Sequence, residues 1–280
     1  MNIENLDLGQ HWPARLVENV ALTPPDAREE VRELVLEVPD ADRKFCAGQS
    51  VAVLVAGPHD FGQQHHVRLY TVARTPAEAG PGRFSLCVRR CTFLDPYSGE
   101  RFPGIASNYL CDLAEDSQLL LAGPVGPPFR VPDDPHAPLL IVGLGTGIAP
   151  FLSLIRELFE DRAWKGRVIL FHGARVGLEM VYRDLIAALR DHASCFSPVE
   201  VVSSRPAWDD PADLEAAIRR HEDEVWQLLS EPNVHIYIAG LTQVGRQFDA
   251  ALAKAAGGAD AWAKKKAEID AAGRWMSLLY

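Results

Sequence analysis

The chain has 280 residues, of which 24% are charged, and its formal net charge is -10. This length allows two domains with cores of their own, and the acidic balance argues against a nucleic acid or an anionic membrane bound through overall charge. The five cysteines include no CxxC pair, so neither a disulfide framework nor a zinc or iron-sulfur signature is visible.

The N-terminal segment, Met1 to Gln10, has no basic stretch that leads into an apolar core. No window of about 18 uncharged apolar residues occurs elsewhere in the chain. The cysteines are best interpreted as reduced thiols. We therefore predict a soluble, cytoplasmic protein without a membrane segment.

Up to about residue 130 the apolar pattern consists of short runs separated by glycine, proline and aspartate. Val51 to Val55 is one such run, and Phe84, Leu86 and Val88 are apolar at alternate positions, a pattern that indicates antiparallel β-structure. Long helical patterns are scarce and turn clusters recur. We predict an antiparallel β-barrel over residues 1–132, with a sandwich as the alternative closure.

The proline-rich segment 131–138 is predicted to be a connector, because proline fits neither a helix interior nor a central strand. After it, strand and helix patterns alternate. The predicted strands are Leu139 to Val142, Val168 to Phe171, Val199 to Val202 and His235 to Ala239. The predicted helices are Pro150 to Asp161, Leu178 to Leu189 and Asp213 to Leu229. This order predicts a parallel-sheet, Rossmann-like α/β domain over residues 139–280.

Three glycines at alternate positions, from Gly143 to Gly147, follow a buried strand and precede a helix predicted to start near Pro150. Such a turn lets backbone N–H groups and the helix dipole meet a phosphate. The spacing is not GxGxxG, and no Walker lysine follows, so a kinase or ATPase site is disfavoured. The alternative is a tight turn without a ligand.

The strands after the glycine turn end without a carboxylate that could bind ribose hydroxyls. One strand ends before Arg175, and the next ends before Ser204 and Arg205. Arginines and hydroxyls without an acid favour a ribose that carries a 2′-phosphate. Either arginine could equally be a solvated loop residue.

An ordered series of motifs extends over nearly the whole chain and resembles the plant-type ferredoxin-NADP reductase family. The series is RLYT at 68–71, LCVRR at 86–90, GIASNYLCDL at 104–113, GPVG at 123–126, GLGTGIAPF at 143–151, SR at 204–205, YIAGL at 237–241 and the final Tyr280. The resemblance implies an FAD-binding barrel followed by an NADP-binding α/β domain, with FAD and NADP(H) as cofactors and NAD(H) as an alternative.

The resemblance assigns FAD contacts to the first domain. Arg68 would clamp the pyrophosphate, Tyr70 would stack on the isoalloxazine, and Thr71 would place its hydroxyl beside flavin N5 as a catalytic residue. Phe93, in a loop from Cys91 to Arg101, would stack on the adenine. The pyrophosphate would also meet the turn formed by Gly104, Ile105, Ala106 and Ser107. Further matched positions are Leu69, Cys87, Val88 and Arg89.

In the second domain the resemblance assigns the dinucleotide contacts. Thr146 and Gly147 would bind it at the glycine turn, and Gly240 and Leu241 would approach the nicotinamide half. Tyr280 would cover the flavin face where nicotinamide arrives and is the second predicted catalytic residue. The 2′-phosphate would bind Arg175, Ser204 and Arg205.

Three positions depart from the family pattern. Ala239 replaces a cysteine, Leu144 a threonine and Gly273 a glutamate; the cysteine and glutamate are thought to align nicotinamide. The segment after Arg205 lacks the usual lysine and tyrosine, with Trp208 as a candidate stacking platform.

The function that the resemblance implies is hydride transfer from nicotinamide C4 to flavin N5, followed by single-electron steps to a ferredoxin or similar iron-sulfur carrier. An acidic ferredoxin would need basic residues clustered near the flavin. The candidates are Arg43, Lys44, Arg83, Arg89 and Arg90. Two alternatives remain: the reductase component of an oxygenase or a free-flavin reductase, and a nucleotide-binding electron-transfer subunit without independent catalysis.

Overall fold

The structure is a computed structural model that describes residues 11–40, 42–57, 65–127, 129–208 and 210–280. The segment Met1 to Gln10, in which no targeting signal is predicted, lies outside the described residues. Within the described part of the chain, none of the helices combines the length and apolar character that crossing a membrane requires.

The chain divides into two compact units. The first comprises Met1–Phe129 and Ala149–Ser153, and the second comprises Arg130–Ile148 and Leu154–Tyr280. Each unit has its own main sheet and its own hydrophobic core.

The first unit is predominantly antiparallel β-structure. Its elements in chain order are β1 (His11–Ala21), β2 (Val31–Glu37), β3 (Ser50–Ala56), β4 (His65–Thr71), α1 (Pro76–Ala79), β5 (Arg83–Arg89), β6 (Thr92–Leu94), β7 (Arg101–Pro103), α2 (Ile105–Asp112) and β8 (Gln118–Val125). The main sheet has the order β4-β3-β8-β1-β2-β5 with antiparallel neighbours throughout. The predicted antiparallel architecture is therefore confirmed.

Side chains at alternate positions of this sheet form the main core of the first unit. Phe84, Leu86 and Val88 of β5 are fully buried in the interior, as their spacing predicts. The two ends of the sheet order, β4 and β5, are joined just beyond β4 by a single antiparallel bridge from Val72 to Leu86. Closure of the barrel thus rests on a short bridge instead of a continuous ladder.

The predicted loop from Cys91 to Arg101 is wrong, because β6 and β7 pair there as an antiparallel hairpin. Phe93 lies opposite Phe102, and their rings stack with centroids 5.5 Å apart. This cross-strand aromatic pair stabilises the hairpin in a segment whose composition indicated only a loop.

The second unit contains a parallel sheet with helices. Its remaining elements are β9 (Leu139–Leu144), α3 (Ala149–Arg156), β10 (Val168–Gly173), α4 (Arg183–His192), β11 (Phe196–Val201), α5 (Leu214–Arg220), α6 (Glu222–Ser230), β12 (His235–Gly240), α7 (Thr242–Ala255), α8 (Ala259–Ala271) and β13 (Trp275–Leu279), with the first five residues of α3 grouped in the first unit. The strand order is β11-β10-β9-β12-β13, and all pairings are parallel. The predicted Rossmann-like α/β architecture is confirmed.

Several predicted boundaries are wrong for identifiable reasons. The helix predicted from Leu178 begins only at Arg183, because Tyr182 takes a left-handed conformation with φ of 59°. The predicted helix from Asp213 to Leu229 is two helices that meet at His221, whose ψ of 22° lies outside the helical range. Strand β11 begins at Phe196, and β13 has no counterpart among the predicted strands.

Candidate functional site

Strand β4 carries two predicted site residues on one face, since residues two apart in a strand share a face. Tyr70 packs against the barrel core, and burial raises the pKa of its hydroxyl well above the ordinary value. Arg68 is exposed and donates from Nη1 to the Val67 carbonyl at 2.9 Å. Among the described residues Arg68 has no carboxylate partner, so its positive charge is available to a ligand.

The other face of β4 has a structural role. Leu69 packs against Ala52 and Ala122 in a small cluster outside the main core. Thr71 Oγ1 lies 3.2 Å from Ser50 Oγ, and Ser50 is buried. The Thr71 hydroxyl is therefore held in place by a neighbouring hydroxyl, which is the property expected of an oriented hydrogen-bonding group beside a cofactor.

Strand β5 holds three further predicted positions. Val88 is fully buried in the barrel core and Cys87 is nearly so. Arg89 forms an ion pair with Glu29 at 2.9 Å. The side chain of Val88 is thus committed to the core, and that of Arg89 to a neighbouring carboxylate.

The turn before α2, which we call the α2 turn (Gly104–Ser107), has the features of an anion cradle. Gly104 occupies the N-cap position, and no side chain caps the helix. The first N–H groups of a helix have no intrahelical partner, so those of Ile105, Ala106 and Ser107 are free to meet an anion. No described residue accepts a hydrogen bond from them.

Cys91 and Ser107 fix the shape of the α2 turn. The backbone N–H of Cys91 donates to Ser107 Oγ at 3.1 Å, and the Gly104 N–H donates to the Cys91 carbonyl at 2.8 Å. A Cβ on Gly104 would lie 3.0 Å from Ser107 Oγ. The backbone at Gly104 is therefore tightly packed, and a close backbone of this kind fits a pyrophosphate. Helix α2 packs against β4, which brings this cradle beside the strand that carries Arg68.

Phe93 is 54% exposed and Phe102 is 39% exposed, so the stacked pair on the β6–β7 hairpin offers aromatic surface to solvent. Sequence reasoning identified Phe93 but missed Phe102. Phe102 stands alone between Arg101 and Pro103, and a run of three residues is too short to indicate a strand from the sequence.

The glycine turn in the second unit is shaped by internal packing at two of its three glycines. A Cβ on Gly147 would lie 2.3 Å from the Ala239 carbonyl oxygen, and one on Gly143 would lie 2.9 Å from the Ile148 Cα. Gly145 has φ of 57° and open space around it. A short 3-10 helix, Gly145–Ile148, leads into α3, so helical geometry begins earlier than the predicted start near Pro150.

Tyr280 is held at the carboxyl end of the parallel sheet. Its hydroxyl lies 2.9 Å from Thr146 Oγ1, its N–H donates to the Gly240 carbonyl at 3.1 Å, and its carbonyl accepts from the Thr242 N–H at 3.0 Å. Leu241, between these contacts, is 43% exposed. The structure thus brings together three segments that are far apart in the sequence, represented by Thr146, by Gly240 with Leu241, and by Tyr280.

The structure places the three departures in different surroundings. Ala239 is fully buried, and nothing in the structure explains why alanine stands there. Leu144 packs against the core of the second unit. Gly273 has φ of 68° directly after α8, a conformation that favours glycine over glutamate.

His172 lies beside the glycine turn, because it pairs with Gly143 across β10 and β9. It is 2% exposed, and its Nε2 atom has no hydrogen-bond partner among the described residues. Burial lowers the pKa of His172 to about 4, against a smaller opposing effect from Glu200. The imidazole is therefore neutral near neutral pH.

The carboxyl ends of β10 and β11 form what we call the β10–β11 edge, defined by Arg175, Glu179, Ser204, Arg205, Asp210 and Asp213. Arg205 Nε donates to Asp210 at 2.8 Å, and Ser204 Oγ donates to Asp213 at 2.5 Å. Arg175 donates to the buried Glu179 at 2.6 Å and to the Pro206 carbonyl at 3.1 Å.

The expectation that no acid lies near these residues is therefore wrong. Each of the predicted anion-binding side chains contacts a carboxylate that follows it in the chain, and the loops between them bring the pairs together. The sequence predicted Asp213 only as the first residue of a helix. Aspartate is a common N-cap residue, and Asp213 Oδ1 does accept from the Ala216 N–H, so its residue type could have indicated a carboxylate at this edge.

The basic residues proposed for docking a partner are also largely paired. Arg83 contacts Glu37, and Arg90 contacts Glu30 and Asp112. Arg43 lies over the Trp12 ring at 4.5 Å. The positive charges of Arg83, Arg89 and Arg90 are therefore compensated by neighbouring carboxylates.

Comparison with known proteins adds to this geometry. A family model described as the oxidoreductase NAD-binding domain matches residues 141–248. The chain is 30% identical over 276 residues to ferredoxin-NADP reductase of Thermosynechococcus vestitus, which covers 93% of this chain and 70% of the relative. It is 29% identical over 255 residues to that of Spirulina sp, with 88% and 87% covered.

Among solved structures, the chain is similar to ferredoxin-NADP+ reductase from Plasmodium falciparum with 2′P-AMP. The TM-score is 0.74, the sequence identity is 17%, and the match covers 99% of this chain and 98% of that one. At this identity the likeness concerns the fold.

Proposed function

Because the chain belongs to the ferredoxin-NADP reductase family, we propose that it is an FAD-dependent oxidoreductase that passes electrons between NADP(H) and a one-electron carrier such as ferredoxin. Residues 1–132 would form the FAD-binding domain and residues 139–280 the dinucleotide-binding domain. The observation that carries this proposal is the presence, in each unit, of a glycine-containing turn that leads into the start of a helix.

The first unit has the groups needed for an FAD pyrophosphate. The free N–H groups of Ile105, Ala106 and Ser107 would donate to its oxygens, and the guanidinium of Arg68, which has no carboxylate partner among the described residues, would supply positive charge. Charge-assisted hydrogen bonds of this kind are about twice as strong as neutral ones. These two features together support FAD binding more directly than any single motif.

Further groups of the first unit would orient the rest of the cofactor. Tyr70 presents a half-buried ring for stacking, and Thr71 presents a hydroxyl fixed by Ser50. The Phe93 and Phe102 pair would supply an aromatic surface for the adenine. When bound, FAD supplies the isoalloxazine that accepts a hydride and passes on single electrons.

The second unit would hold the dinucleotide along the carboxyl ends of its strands, where ligands of open α/β sheets bind. Thr146 and the turn at Gly147 would contact the phosphates, and Gly240 with Leu241 would approach the nicotinamide half. Tyr280 would release its hydrogen bond with Thr146 when the dinucleotide enters. We therefore assign Tyr280 the role of a gate at this end of the sheet.

The adenosine half would lie at the β10–β11 edge. Ser204, Arg205 and Arg175 remain our candidates for the 2′-phosphate, and exposed Trp208 is a candidate platform for the adenine. Binding of the phosphate there requires the carboxylates of this edge to release their partners.

The test is electron transfer through an added carrier. Purified protein, NADPH, a plant-type ferredoxin and cytochrome c are combined, and reduction of cytochrome c is followed. We expect reduction that depends on both NADPH and ferredoxin. Reduction of bound flavin by NADPH without any transfer to ferredoxin would contradict the proposed partner and favour a reductase component of another system.

A further inference from the structure

Each predicted anion-binding side chain of the β10–β11 edge already contacts a carboxylate. Arg175 contacts Glu179, Arg205 contacts Asp210 and Ser204 contacts Asp213, and the nearby Arg219 and Arg220 of α5 also act on Asp213. This is an unusual environment for a 2′-phosphate, because a phosphate monoester carries about -1.5 to -2 charges at neutral pH.

We propose that the carboxylate of Asp213 is a specificity determinant that weakens binding of the 2′-phosphate, so that the chain accepts NADH as well as NADPH. The proposal rests on the proposed function and deepens it by naming the residue that sets the choice of dinucleotide. Asp213 would accept hydrogen bonds from the ribose hydroxyls of NADH, which is the role that a carboxylate fills in sites selective for NAD.

The first argument concerns Ser204. Its hydroxyl has one hydrogen to donate, and that hydrogen is directed to Asp213 Oδ2 at 2.5 Å. A phosphate oxygen placed within hydrogen-bond distance of Ser204 would therefore lie close to a carboxylate. Like charges at such a distance repel, whereas a ribose hydroxyl at the same place would find an acceptor.

The second argument is that Asp213 is fixed and ionised. Its Oδ1 accepts from the Ala216 N–H at 2.9 Å as the N-cap of α5, so the side chain is anchored from both oxygens. The hydrogen bond from Ser204 lowers the pKa of Asp213, and the Ala216 N–H acts in the same direction. A negative N-cap is also favoured by the helix dipole.

The third argument is that both arginines already contact carboxylates. Arg205 Nε donates to Asp210 at 2.8 Å, and Arg175 donates to buried Glu179 and to the Pro206 carbonyl. A 2′-phosphate would compete with these carboxylates for the positive charge of the arginines. NADH has no 2′-phosphate, so its binding does not involve this competition.

The test compares 2′P-AMP with 5′-AMP, because both carry the adenosine and only the first carries the 2′-phosphate. Their dissociation constants are measured by isothermal titration calorimetry on the FAD-loaded protein and on Asp213→Asn. Asparagine keeps an oxygen for the Ala216 N–H and removes the charge. We expect 2′P-AMP to bind the variant about tenfold more tightly, the scale for removing one close like charge, and 5′-AMP to bind no more tightly than before.

Glu215→Gln is the matched control. Glu215 lies in the first turn of the same helix, but its carboxylate contacts Lys254 instead of the anion-binding residues. The substitution removes one negative charge and should leave both dissociation constants unchanged. An equal tightening of 2′P-AMP in both variants would show a general charge effect and overturn the proposal.

Asp210→Asn is the second variant, in case Asp213→Asn does not fold. It frees Arg205 and should also tighten 2′P-AMP, by a few-fold. An unchanged ratio of the two dissociation constants in every variant that folds would overturn the proposal. Flavin reduction is recorded separately, so loss of the proposed function and loss of this inference give different results.

Discussion

Both units present arginines at a predicted phosphate site, but the arginines differ in their neighbours. In the first unit Arg68 has no carboxylate partner among the described residues and lies on the strand beside the uncapped α2 turn. In the second unit Arg175 and Arg205 are each paired with an acid. The same residue type in two recognisable motifs therefore carries an available charge in one place and a compensated charge in the other.

This difference shows what a motif can and cannot specify. It names a side chain that is chemically suited to a phosphate, but the strength of binding depends on what that side chain contacts before the ligand arrives. We expect substitutions in the first unit to change cofactor binding strongly and substitutions of paired residues in the second unit to change it weakly.

The largest effect is expected for Arg68→Ala. Loss of this guanidinium should cost about 3 kcal/mol of FAD binding, the upper range for hydrogen bonds to charged groups, which corresponds to an affinity more than a hundredfold weaker. FAD binding to the apoprotein, followed by flavin fluorescence, measures this.

Arg83→Ala is its control, because Arg83 belongs to the same sheet but contacts Glu37. It should leave FAD affinity unchanged. If Arg68→Ala binds FAD as tightly as the unaltered protein, the role of Arg68 as the clamp is wrong.

The next prediction concerns how the stability of the second unit depends on pH. The pKa of His172 in the folded state is lowered to about 4, below its ordinary value of 6.5, so the unfolded chain binds more protons once the pH falls below 6.5. Stability is therefore lost as the pH falls from 6.5 towards 4, by about 2 kcal/mol near pH 5. None of the histidines described in the first unit is buried.

Denaturant unfolding between pH 7 and about pH 5 measures this loss. His172→Leu should weaken the pH dependence without abolishing it, because burial also lowers the pKa of His235 to about 4. The same change at exposed His192 should leave the pH dependence unaltered. A pH dependence that is unchanged in His172→Leu would contradict the assignment to this imidazole.

A smaller effect is expected for Ser107→Ala, which tests the shape of the α2 turn. The substitution leaves the Cys91 N–H without its partner and should lower the free energy of unfolding by about 1 kcal/mol, with a few-fold loss of FAD affinity. Thermal unfolding and FAD retention measure the two quantities. Ser98→Ala removes a comparable hydrogen bond at an exposed turn and should change neither.

The smallest effect is expected for Arg205→Ala. Arg205 is exposed and already paired with Asp210, so its removal should weaken NADPH binding by less than about 1 kcal/mol. This would appear as a small rise in the KM for NADPH, and the KM for NADH should be unchanged. Steady-state kinetics with ferricyanide as acceptor measure both. A rise above about tenfold for NADPH would show that the ion pair opens completely and that the two units bind phosphate alike.

Local patterns were sufficient for much of the fold. The alternation of Phe84, Leu86 and Val88 predicted a strand of an antiparallel sheet, and the continuous apolar runs of β9 and β10 predicted a parallel sheet. The order of the motifs predicted the residues around Thr146 and Tyr280, which the structure brings within hydrogen-bond distance.

What the sequence could not provide were contacts made between distant segments. The pairing of Ser204 with Asp213 depends on the path of the loop between them, and the close approach of Gly147 to Ala239 depends on strand order. Tyr182 interrupts a helical pattern through a backbone conformation that its residue type does not favour. Such features arise from tertiary packing, which periodicity does not record.

The central claim is that the chain holds FAD and reduces it with a pyridine dinucleotide. The most direct measurement is the visible spectrum of the purified protein during anaerobic addition of NADPH and, separately, NADH. We predict a yellow protein whose flavin absorbance is bleached by both nucleotides. A colourless protein that takes up no FAD, or a yellow protein that neither nucleotide bleaches, would contradict the claim.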